Sequence, residues 1–91
     1  MTVKLSLLKS GEDVIADIEE MILDEKVVGY FFNDPCVVKL LAKDAGNSGK
    51  TPCQLQLTPW LPLTNDKKIP VAPDWVITMV EPMPQLKKMY E

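Results

Sequence analysis

The chain has 91 residues, a net charge of −3, 46% apolar and 25% charged residues, and contains no His and no Arg. That length sets one hydrophobic core, and so one domain over residues 1–91. The composition excludes the commonest general base and metal ligand, and the bidentate side chain most used on phosphates and guanine edges. No apolar run is long enough to span a membrane, and the first residues lack the apolar stretch and cleavage site of a secretory signal. A cytoplasmic protein with no cofactor and no metal is expected. Charge is unevenly spread: Glu12 to Glu25 carries seven carboxylates and no base, while Lys39, Lys43, Lys50, Lys67 and Lys68 lie further on.

In chain order, Val3, Leu5 and Leu7 alternate with Lys4 and Ser6, which predicts a strand. "KSGED" supplies a turn, with Gly11 free to take positive φ. Val14, Ala16 and Ile18 alternate with Ile15, Asp17 and Glu19, predicting a second strand with one buried and one wet face, paired with the first as a hairpin. The chain turns at "DEK", and "VVGYFF" begins another extended piece. Pro35 follows, where a missing N–H requires a bend, a bulge or an edge before "CVVKLLAK" resumes as a strand.

The "AGNSGKT" stretch imitates the end of a phosphate-cradling loop. The spacing of that motif puts its opening glycine at position 44, which is Asp44, and Pro52 stands where a helix should open. A polar hairpin loop that binds no nucleotide is therefore expected. "CQLQLTPWLPL" then places Cys53, Leu55 and Leu57 on one face of a strand, and Pro59 and Pro62 limit its pairing. "TNDKKIPVAPD" reads as a proline-punctuated loop and "WVITMV" as the last strand. After Pro84, Leu86, Met89 and Tyr90 have the spacing of a short helix that packs one face. Cys36 and Cys53 read as core thiols on neighbouring strands, a cross-strand disulfide being the oxidised alternative.

Five short strands joined by tight loops predict an all-β, small and strongly bent barrel. The run "VKLSLLKSGEDVIADIEEM", followed by "NDPCVVKL", a variable loop at 44–52 and strands at 53–61 and 75–80, resembles the Sm-like fold. "GEDVIAD", "VVGYF…PCVV" and "W…PDWV…VEP" are similar to small Sm-like proteins of marine phages, which would place the protein in the host cytoplasm. The resemblance implies a homo-oligomeric ring in which the fourth strand of one subunit pairs with the fifth of the next. Leu55, Leu57, Trp60, Trp75, Ile77 and Met79 are the interface candidates on those strands.

It also implies single-stranded RNA as a partner, with Asp24 and Asn33 in the region of the family's base-holding Asp and Asn. The family's Arg-Gly pair before the last strand is absent, and "VAPDWV" stands there instead. Lys67 and Lys68, in the loop before the last strand, and Tyr30 as a stacking side chain complete the RNA candidates. Phe31, Phe32 and Trp60 are further aromatics for stacking or core. Two functions are thus expected to compete: an RNA-binding or RNA-chaperone ring, and a structural or protein-interaction ring that keeps the fold without the RNA site. An enzyme is not expected.

Overall fold

The computed structural model describes residues 2–42 and 53–91. Six strands and one helix follow in order: β1 (Val3–Leu8), β2 (Asp13–Leu23), β3 (Lys26–Ala42), β4 (Cys53–Pro59), β5 (Lys68–Val71), β6 (Val76–Val80) and α1 (Pro84–Tyr90), with a 3-10 turn over Pro73–Trp75 before β6. The protein is all-β apart from this short C-terminal helix. The strands hydrogen-bond in the order β4-β3-β2-β1-β6, and β5 lies against β3.

The β1–β2 hairpin forms where alternation predicts it, with Val3 opposite Asp17 and Leu7 opposite Asp13. Its turn places Gly11 at φ 87°, a conformation costly for a residue with a Cβ. β2 and β3 join through Asp24 and Glu25, at φ 52° and 67°. Two consecutive left-handed residues match the right-handed twist of the flanking strands, which is why a two-residue hairpin turn takes this form.

Pro35 does not end β3. Asn33 lies opposite Asp17 and Cys36 opposite Ile15, so β3 spends one more residue than β2 across this step. Asp34 takes φ 49° within the bulge and Pro35 is buried in it. The extra residue bends the strand and removes the need for a proline donor. Before the bulge, β3 lies between β2 and β5; after it, β3 pairs with β4 from Cys36 to Ala42.

The segment expected to be a loop before the last strand contains β5. Tyr30 to Asn33 pair with Val71 to Lys68, and Pro70 stands opposite Phe31. A proline is tolerated because, among the described residues, β5 has a ladder on one side only. Its alternate residues, Ile69 and Val71, point inward and are buried. Six strands therefore replace the expected five, and the last strand begins at Val76 because Trp75 belongs to the 3-10 turn.

Two apolar clusters lie on opposite faces of β2. The first holds Leu8, Val14, Ala16, Ile18, Phe32, Ile69 and Val71. The second holds Val3, Ile15 and Leu86, with Leu5, Cys36, Val38, Leu55, Leu57 and Tyr90 packed around them. The face of β2 expected to be wet is thus covered where Ile15 sits, at 0% exposure, because α1 lays Leu86 over it. Burying side chains of this size contributes about 1.5–3 kcal/mol each, so the helix supplies the cover that makes the second cluster worth forming.

Candidate functional site

The five RNA candidates do not converge. Asp24 is exposed at the tip of the β2–β3 hairpin. Asn33 lies seven steps along β3 from Lys26, on the order of 23 Å away at the usual rise per residue. Tyr30 is half-buried and packs against the first cluster. Asn33 spends its amide inside the fold: Nδ2 donates to the Asp17 carbonyl at 3.0 Å, and its own carbonyl accepts from Tyr90 Oη at 2.7 Å. Lys68 sits on β5 opposite Asn33 rather than in a loop. Its ammonium pairs with Glu19 at 3.1 Å and lies 4.5 Å from the centre of the Phe31 ring. Only Asn33, Lys67 and Lys68 fall in one place, where β5 meets the β3 bulge.

The bulge organises its surroundings. Asp34 N–H donates to the Lys67 carbonyl at 2.7 Å, and Trp60 N–H donates to the Pro35 carbonyl at 3.0 Å. Both ends of the 61–66 connection are thereby tied to the same two residues. Beside them lies a cavity of about 250 Å³, lined by the buried Pro35 and Ile69, the half-buried Trp60, and the exposed Pro59, Leu61, Asp34, Asn65, Asp66 and Lys67. Thr64, also in the lining, accepts the Asp66 N–H at its Oγ1 at 3.1 Å. The Trp60 indole leans on Phe32, with centroids 6.0 Å apart and planes at 40°, and donates Nε1–H to Glu12 at 3.3 Å. Among the described residues the ion pairs are Lys4–Glu81 and Lys68–Glu19, so Asp34, Asp66 and Lys67 take part in none.

Behind the bulge, Tyr90 hydroxyl accepts the Asp17 N–H at 3.1 Å while donating to Asn33. Burial holds its phenol above the ordinary range, and the Asp17 N–H opposes this. Burial also raises the Cys36 thiol, with the Asp34 carboxylate adding to the effect. Cys36 lies opposite Pro59 and Cys53 opposite Ala42 on the same ladder. That separation is on the order of 20 Å along the strands, against a Cα–Cα limit of about 7 Å for a disulfide, so the two cannot pair in this fold.

The interface candidates divide. Leu55 and Leu57 pack against the second cluster, and Trp60 and Met79 against the first. Trp75 and Ile77 remain outside, at 42% and 61% exposure, with Val80 beside them at 48%. Ile77 is the extra residue of a β6 bulge, since Leu8 pairs with Val76 and Leu7 with Thr78. β4 and β6 end the hydrogen-bonded order, each with a single ladder among the described residues. The "AGNSGKT" stretch lies outside the described residues. No helix among the described residues is long and apolar enough to cross a membrane.

These features define a small, bent, antiparallel β protein with a helix-capped second core and, among the described residues, open edges on β4, β5 and β6. Across residues 1–91 the chain matches a family of unknown function, DUF6561, and it belongs to that family. No curated protein matches it.

Proposed function

We propose that the chain is an Sm-like subunit of a closed homo-oligomeric ring with a structural or protein-interaction role. In this reading β6 of one copy pairs with β4 of the next. The observation that carries it is that β4 and β6 stand at opposite ends of the strand order, each with one ladder among the described residues, whereas the third open edge, β5, is four residues long and carries Pro70. An exposed edge invites pairing with another chain unless it is blunted, and the β6 side displays Trp75, Ile77 and Val80 rather than charges. A contact between two different edges is heterologous, and it closes into a ring when its rotation divides the circle.

The charge arrangement favours protein contact over RNA. Lys68 is engaged by Glu19, Asn33 is spent on the backbone, and Asp24 is remote from both. Light scattering coupled to size exclusion tests the ring. The wild type should run as a single oligomer at micromolar concentration, and Ile77→Lys, altering an exposed side chain, should yield a folded monomer. A monomeric wild type, or full oligomeric mass in Ile77→Lys, would reject the assembly. Fluorescence anisotropy with labelled oligo-U at two salt concentrations tests the role. No binding is expected, and tight, salt-sensitive binding would return the ring to RNA.

A further inference from the structure

The cavity beside Trp60 carries chemistry that edge-to-edge assembly does not use. Its more buried lining is apolar and stiff: Pro35, Ile69 and an indole backed by the fully buried Phe32. Groups already fixed by the fold lose little freedom when a ligand arrives. The walls are held as well, by the hydrogen bonds from Asp34 to Lys67 and from Trp60 to Pro35.

The lining carries two carboxylates and one ammonium, and among the described residues none of the three takes part in an ion pair. Asp34 and Asp66 line the cavity together with the single cation Lys67, and Glu12, outside the lining, accepts the indole N–H. Excess negative charge beside an aromatic ring disfavours a phosphate. It favours an ammonium or guanidinium, which carboxylates pair with and a ring face attracts. An apolar stem with a charged head matches a lining of buried proline and isoleucine with exposed carboxylates. A volume near 250 Å³ admits one large side chain.

We propose that this cavity is a binding site for a lysine or arginine side chain, presented on an extended segment of a partner protein. The proposal stands whether or not the subunits form a ring. It is tested by NMR titration of the whole chain with N-acetyl-arginine methylamide and N-acetyl-lysine methylamide. N-acetyl-norleucine methylamide and uridine 5′-monophosphate serve as comparison probes.

The Trp60 indole N–H and the Asn65 amide should shift saturably with at least one cationic probe, more weakly as salt rises. They should barely move with norleucine. Asp34→Asn combined with Asp66→Asn should weaken the cationic probe roughly fivefold, the loss expected for two partly solvated charge contacts. Asn tolerates the left-handed conformation that residue 34 adopts, so the variant keeps the bulge. Lys67→Ala should tighten binding. An equal response to norleucine would reduce the site to an apolar dent. Saturation by uridine monophosphate alone would make it a nucleotide site. Either result, no saturable shift with any probe, or unchanged affinity in the double variant, overturns the proposal.

Discussion

Tyr90 and Asp17 lie 73 residues apart in the chain, yet the Asp17 N–H donates to the Tyr90 hydroxyl at 3.1 Å. The same hydroxyl donates to the Asn33 carbonyl, on the strand opposite. Asp17 and Asn33 flank the bulge where the β2–β3 ladder skips a residue. One phenol therefore bridges two backbone groups at the break in register. Tyr90→Phe should cost about 1–3 kcal/mol in urea unfolding, because it leaves a part-buried donor and acceptor without their partner. A variant as stable as the wild type would show that water replaces the hydroxyl freely.

The same residue sets a pH dependence. A phenol whose folded pKa is raised keeps its stabilising effect below its unfolded value, near 10. The effect is lost as pH rises from there through the folded value, since the unfolded chain releases its proton first. Stability should therefore fall more steeply above pH 10 in the wild type than in Tyr90→Phe. The Cys36 thiol acts in the same direction from lower pH and also pushes the Tyr90 phenol up, so the comparison is repeated in a Cys36→Ala background. Parallel curves would remove Tyr90 as the cause.

The β2–β3 turn offers a gain. Asp24 and Glu25 both occupy left-handed backbone, where Asn-Gly is the preferred pair. Asp24→Asn with Glu25→Gly should raise stability by roughly 1 kcal/mol, read as a higher urea midpoint with an unchanged slope. A lower midpoint would mean that the added freedom of glycine in the unfolded chain outweighs the relieved strain.

Ser6 is fully buried, and its Oγ has no hydrogen-bond partner among the described residues. Ser6→Ala keeps the β1 backbone and removes an unsatisfied hydroxyl. Thermal unfolding should show no loss, and a gain of up to about 1 kcal/mol. A clear loss would place an unrecorded partner at this oxygen.

The Cys36 thiol is half-buried and raised by its surroundings, so it should react slowly with a thiol reagent at neutral pH. Under mild oxidation, mass spectrometry of the folded protein should find no Cys36–Cys53 bridge. Finding one would require β3 and β4 to slide far from their register.

Much of this fold is legible in short-range pattern. Alternation in Val3–Leu7 and Val14–Ile18, with Gly11 between them, specifies the first hairpin, and Pro84 with Leu86 and Tyr90 specifies the helix. Pro35 announces a bend, a bulge or an edge, because a residue without an N–H must fall where the ladder needs none, and the fold takes the bulge. β5 is hidden because a four-residue strand containing Pro70 shows too few alternations to stand out from a loop. Ile15 is misjudged for a different reason. Periodicity says which residues share a face, but whether that face is covered depends on a helix seventy residues away. The candidate site was less legible still. Lys67 and Trp60 stand out individually, but the β3 bulge brings them to one cavity, and Glu19 answers Lys68 only through the fold.

The order in which the two cores are completed bears on how the chain matures as it is made. Ile69 and Val71 finish the first cluster, and Leu86 finishes the second. Tyr90 then joins β2 to β3 at the bulge. A nascent chain that ends before residue 69 has strands to pair but leaves Phe32 and Ile15 uncovered. Because β3 exchanges ladders with β2, β4 and β5, partial chains offer few stable stopping points. Each core thus depends on a segment far along the chain, and a truncation before Leu86 should uncover Ile15 while leaving the first hairpin's ladder intact.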